Sequence, residues 1–160
     1  MSRGPTLYNG SMSTEYFEDI KLHQRYRSRE YHLNEKEIID FAKEWYPQPF
    51  YIDPEFARNA KFGGLSAAAI HLLAICAKLA NERRPRMDCV ASLGWDGIRF
   101  EATARPGDVL VFEDEVISKR ESKSDPNAGV VRYAARLLNQ HNEPVLTYEG
   151  TVLVEKRHKL

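Results

Sequence analysis

Two cysteines in a chain of 160 residues leave no disulfide framework. Cys76 and Cys89 fall in segments expected to form helix and strand core, and two buried thiols point to a reducing compartment. Charge of one sign is also missing: 23 Lys and Arg stand against 23 Asp and Glu. That balance lacks the basic footprint of a nucleic-acid binder. No apolar run reaches the roughly 20 residues of a membrane-spanning helix. No N-terminal stretch joins a charged segment to an apolar one, so no signal peptide is expected, and the cytoplasm is the expected location. His23, His32, His71, His141 and His158 have no ligand spacing with one another or with the cysteines, so no metal is expected. The chain holds no Gly-x-Ser-x-Gly elbow and no glycine-rich phosphate loop. It has no internal repeat, and its length suits one domain with a real core.

What is present is organised around Phe62 to Arg84. Between Leu65 and Ala80 only Ser66, His71 and Lys78 interrupt an apolar run. A helix that is apolar on nearly every side must be buried, so the pattern predicts a central helix over about 65–82, wrapped by a sheet. Gly63-Gly64 precede it and offer unhindered backbone N–H groups near the helix start, where a polarised oxygen could be held. Ser66 reads as the helix cap. His71 shares a stripe with Lys78 and Glu82, which predicts an exposed or interface edge and a structural histidine rather than a base.

The other elements follow from local chemistry. Residues 1–14 read as a loose arm and 15–157 as the folded domain. Gln24 to Leu33 reads as an edge strand. Asn34 followed by Glu37 is a capping-box start, and Ile38, Phe41, Ala42 and Trp45 recur at helical spacing up to Tyr46, where Pro47 stops the helix. Pro47 to Tyr51 is expected to be extended. Asp53 with Pro54 starts another short helix. After Arg86 the period changes to two, with strands around Cys89–Trp95, Val109–Ser118, Val131–Leu137 and Leu146–Val154, and a charged loop over 119–129. A helix-rich half followed by a strand meander is an α+β layout.

Three stretches then carry a family resemblance. These are Phe41-Ala42 with Pro49-Phe50-Tyr51-Ile52-Asp53-Pro54-Glu55-Phe56-Ala57 and Phe62-Gly63-Gly64, then Leu93-Gly94-Trp95-Asp96 with Arg105-Pro106-Gly107-Asp108, then Tyr148 to Val154. In order and spacing they resemble the MaoC-like acyl-CoA dehydratases, also called (R)-specific enoyl-CoA hydratases, which have the hotdog fold. The resemblance covers about Tyr16 to Arg157. It implies a single hotdog, a bent antiparallel sheet around the central helix. It also implies an acyl-CoA or similar thioester substrate, with coenzyme A entering only as part of it. A homodimer, or a dimer or trimer of such dimers, would place the pocket at an interface, and a second, dissimilar hotdog chain is a further possible partner. Nucleic acid and membrane are not expected partners.

The family's hydratases carry an Asp and a His five positions apart, in a subgroup as Asp-Pro-Gln-Pro-Phe-His, and the pair activates the water added to an enoyl thioester. Here the matching run is Tyr46-Pro47-Gln48-Pro49-Phe50-Tyr51. The frame is intact and both catalytic positions are tyrosine. The family's Ser-Gly pair is matched by Ala68-Ala69, which removes a supporting hydroxyl. A free tyrosine titrates near 10, so neither ring is a ready base at neutral pH. Tyr46 and Tyr51 are thus candidate catalytic residues by position, read either as hydrogen-bond donors or as aromatic fillers, the latter favoured. Phe50, Phe62, Gly63, Gly64, Ser66, Ala68 and Ala69 are the expected substrate-binding residues. Arg83, Arg84 and Arg86 read as a solvated helix end, with coenzyme A phosphates as the alternative. Three functions stand: hydration or dehydration through an atypical site, another thioester chemistry such as hydrolysis, and non-catalytic binding of an acyl-CoA or other small ligand.

Overall fold

This computed structural model describes residues 13–157. The chain opens with β1 (Thr14–Glu15), then β2 (Arg25–Arg27) and β3 (Tyr31–His32). The helical half follows as α1 (Glu35–Trp45), α2 (Pro49–Ile52), α3 (Pro54–Asn59) and α4 (Ala69–Asn81). The short β4 (Arg86–Met87) pairs in parallel with β1. The meander is β5 (Cys89–Phe100), β6 (Val109–Glu121), β7 (Ala128–Leu138) and β8 (Pro144–Glu155).

The main sheet runs β2-β6-β7-β8-β5, antiparallel throughout, with β3 added alongside β6. Register slips at Val116/Ser118 in β6 and at three places in β5, the last between Asp96 and Arg99, where Gly97 has φ +61°. Such bulges bend and twist a strand, and they suit a sheet that must curl around a helix. The curled face receives α4: Leu72, Ile75, Cys76 and Leu79 are buried with Phe112, Leu137, Leu146 and Tyr148. Each large apolar side chain so buried stabilises the fold by about 1.5–3 kcal/mol. The bent antiparallel sheet around a central helix is the architecture expected from the sequence.

The caps form where the sequence placed them. Asn34 Oδ1 accepts from Glu37 N at 2.9 Å, and Asp53 Oδ1 accepts from Glu55 N at 2.9 Å and Phe56 N at 3.1 Å. Other expectations are corrected. The central helix begins at Ala69 and not near 65: Leu65 to Ala68 are buried but extended, because Ala67 N donates to Ala104 O at 2.9 Å and ties this stretch to the turn before β6. The cap position therefore falls to Ala68, and Ser66, two residues earlier, is buried without capping. Pro49 to Ile52 is a helical turn, with the rigid proline at its first position, where the sequence predicted extended chain. Cys89 is exposed, because β5 is the outermost strand; only Cys76 is a buried thiol, and burial lifts its pKa to about 12. The charged loop shrinks, since β6 runs on to Glu121 and β7 starts at Ala128. Most of the expected N-terminal arm lies outside the described residues, and Thr14 already pairs in β1.

Candidate functional site

The candidate residues lie in the helical half and before α4, and α1 packs on the first turn of α4. Phe41, on α1, stacks on the His71 ring with centroids 4.3 Å apart and planes within 8°. His71 Nε2 lies 3.3 Å from Glu37 Oε1, which also accepts a close hydrogen bond from the Tyr31 hydroxyl. Only 3% of His71 is exposed: of the exposed or interface edge expected there, it forms the interface, with α1 docked over it, while Lys78, further along the predicted stripe, stays exposed. The contact fixes the C-terminal end of α1 against the start of α4. Tyr46 follows directly, five residues beyond Phe41, which corresponds to about 7 Å along a helix.

Local backbone geometry then folds Tyr51 back toward Tyr46. Tyr46 N closes α1 on Ala42 O at 2.9 Å, and Gln48 N returns to Tyr46 O at 2.8 Å, a three-residue turn around Pro47. The α2 turn follows, with Tyr51 N on Gln48 O at 2.9 Å. The two phenol rings meet at 5.8 Å with a 51° tilt, and Phe50 packs on Tyr51 at 4.4 Å. Tyr46 is 47% exposed, so the ring pair is open to a ligand from one side. Burial, then the neighbouring Tyr46, raise the pKa of Tyr51 above the usual phenol value. At neutral pH it stays protonated and can donate a hydrogen bond; it cannot take a proton from water.

The residues before α4 divide into two groups. Phe62 is exposed, and Gly63 adopts φ +65°, a left-handed turn that glycine takes at little cost. Ser66, Ala67 and Ala68 are buried. Ala68 occupies the N-cap with no side chain to bond the helix amides, and Ala69 opens the helix. The Ala69 and Ile70 N–H groups therefore lack a side-chain cap and can donate to a carbonyl or carboxylate oxygen, while His71 N already donates to Ala68 O at 2.9 Å. The Gly63-Gly64 pair is not at the helix start, since four extended residues separate the two.

Arg105, read from sequence only as part of a turn, reaches this loop: it donates to Phe62 O in a close contact and to Leu65 O at 3.4 Å. No spacing in the sequence links it to Phe62, so it had no signal. The expected basic cluster is also divided. Arg83 turns inward to Asp114 at 3.3 Å and lies 4.6 Å above the Tyr26 ring, while Arg84 caps the carbonyls of Glu82 and Arg83. A concavity of about 920 Å³ lies elsewhere, between β2, β6, β7, β8 and the bulge of β5 at Asp96-Gly97. Several of its charges pair with one another, Arg25 with Glu115 at 2.8 Å and Arg136 with Glu113 at 2.7 Å, and neither Tyr46, Tyr51 nor any residue of α4 lines it.

The buried His71 gives this corner a pH dependence. Burial lowers its pKa from 6.5, and Glu37 only partly opposes the shift. A histidine whose folded pKa is depressed binds fewer protons in the native state than in the unfolded one, so stability is present above about 6.5 and is lost as pH falls below it. Thermal midpoints between pH 7.5 and 5 should therefore drop, and His71→Gln should flatten that slope. An equal slope in wild type and variant would contradict the assignment.

No helix among the described residues is long and apolar enough to cross a membrane. The MaoC like domain family matches residues 19–136. In structure the chain is similar to a MaoC-like dehydratase from Rhodospirillum rubrum, with a TM-score of 0.82 and 31% identity, covering 91% of this chain and 99% of that one. In sequence it is 26% identical to the uncharacterised Bacillus subtilis protein YdeM over 87% of this chain and 98% of that one. It is 37% identical to a mesaconyl-CoA hydratase of Cereibacter sphaeroides over 64% of this chain, a match that spans 29% of that longer protein. Taken with the bent sheet around α4, these matches place the chain in the MaoC-like dehydratase family, with the hotdog fold.

Proposed function

We propose that this chain is a hydratase/dehydratase-type protein that binds an acyl or enoyl thioester of coenzyme A at the mouth formed by Tyr46, Tyr51 and the start of α4. The observation that carries the reading is the preserved frame with changed chemistry. By the resemblance, Tyr46 and Tyr51 stand in the positions of the family's Asp and His, and the turn and helix here bring the two phenol rings to 5.8 Å. The uncapped amides at Ala69 supply donors for a thioester oxygen. Protonated Tyr51 supplies a further donor. A base able to activate water is missing from the pair, so binding is retained better than hydration. The matches to a CoA-thioester hydratase and to a family dehydratase favour the same substrate class.

The test is hydration of a short and a medium trans-2-enoyl-CoA, followed by loss of the enoyl absorbance. Slow turnover that falls at least about tenfold in Tyr51→Phe makes the phenol the working acid. Turnover unchanged by Tyr46→Phe and Tyr51→Phe would remove both tyrosines from the chemistry.

A homodimer is part of the proposal. The two sheet edges differ: β2 is three residues long and presents Arg25 and Arg27, whereas β5 is twelve residues long. On β5, Val90 is 54% and Leu93 53% exposed. A long apolar edge needs a partner, and a second copy related by a two-fold axis can supply one. Val90→Lys with Leu93→Lys should shift the native mass from dimer to monomer in light scattering. A dimer that survives both charges would place the interface elsewhere.

A further inference from the structure

We infer that Arg105 is the positioning residue for the thioester carbonyl cradle at the start of α4, an inference that rests on the thioester reading above. The guanidinium bonds two carbonyls three residues apart, Phe62 O and Leu65 O. Those carbonyls straddle Gly64. A Cβ at Gly64 would stand 2.8 Å from Arg105 Nη1, so the arginine lies directly against the glycine. The preceding residue makes the backbone tie, Ala67 N to Ala104 O at 2.9 Å. Ala104 and Arg105 therefore hold the buried, extended Leu65–Ala68 stretch by backbone and side chain at once.

That stretch sets where α4 begins. Ala68 supplies no side-chain cap, so the first amides of α4 are placed by the His71 contacts on one side and by this stretch on the other. Arg105 is in turn held at its own end: its N–H donates to Asp108 Oδ2 at 2.7 Å, and Asp108 Oδ1 accepts from Gln140 Nε2 at 3.0 Å. The chain of contacts runs from the β7–β8 turn through Asp108 and Arg105 to the loop before the cradle. A planar fork reaching two acceptors is required, which a lysine ammonium on a flexible stem does not reproduce.

The experiment compares two probes, butyryl-CoA and S-butyl-CoA, a thioether that lacks the carbonyl. Binding of each is measured calorimetrically to wild type, Arg105→Lys and Gly64→Ala, the last displacing the guanidinium from the opposite side. Wild type should prefer the thioester by about tenfold, the value of one good hydrogen bond to the carbonyl. Arg105→Lys and Gly64→Ala should lose that preference while still binding the thioether. A merely structural role would weaken both probes alike and keep the ratio, which would overturn the inference and leave the thioester reading standing. Equal wild-type affinity for the two probes would overturn the cradle itself, and no binding of either would overturn the thioester reading together with it.

Discussion

Tyr46→Asp combined with Tyr51→His is expected to raise enoyl-CoA hydration by about two orders of magnitude or more over wild type. Under the proposal, Tyr46 and Tyr51 hold the positions of the family's Asp and His. Tyr46 closes α1, the turn at Pro47 reverses the chain, and α2 returns Tyr51 to within 5.8 Å, ring to ring. What the wild type lacks is a group that accepts a proton at neutral pH, because burial drives the Tyr51 phenol further from that range. A positioned acid–base pair contributes typically ~10²–10⁴-fold. The gain should be at the lower end, since Ala68 supplies no hydroxyl to orient the new carboxylate. Adding Ala68→Ser should raise the rate again. Each single substitution should recover little, because the two groups act as a unit. A folded double variant with no more activity than wild type would mean that the pocket has lost more than its base.

The second large effect is just beyond the C-terminal end of α4. Arg83→Met should cost about 3–5 kcal/mol of stability, the penalty for leaving one partner of a buried ion pair alone. The side chain of Asp114 is 3% exposed and that of Arg83 11%, so water cannot replace the lost partner. Arg83 also lies on the Tyr26 ring, whose hydroxyl bonds Leu79 O near the end of α4. Asp114→Leu in the same chain should recover most of the loss, since the charge that needed a partner is gone. Burial already raises the Asp114 pKa despite Arg83. A raised carboxylate pKa adds stability on protonation, so the Arg83→Met loss should shrink as pH falls. Urea midpoints measure all three. Loss of less than about 1 kcal/mol in Arg83→Met would show that the pair is solvated.

Much of this architecture is legible in the residues, and the exceptions have physical causes. The Asn34 and Asp53 caps could be read because a cap bonds its own next turn. The central helix could be read from its apolar content, but its start could not. Leu65 to Ala68 have no local reason to stay extended; they do so because Ala104 and Arg105, some forty positions away, bond them. His71 looked like an edge residue on its own helix and is buried because α1 docks over it. Cys89 has core-like neighbours and is exposed because the strand order leaves β5 outermost. Tyr46 and Tyr51 were singled out by the resemblance of their run to the family's motif. The ring contact depends on the turn at Pro47, where the sequence suggested extended chain.

The most direct test of the account is a calorimetric titration of the wild-type protein with crotonyl-CoA, repeated on Tyr51→Ala. The account predicts saturable binding of one thioester per chain, weakened by about tenfold or more when the Tyr51 ring and hydroxyl are removed. Absence of saturation up to millimolar ligand, on the order of the weakest specific affinities, would contradict it. So would binding that Tyr51→Ala leaves unchanged.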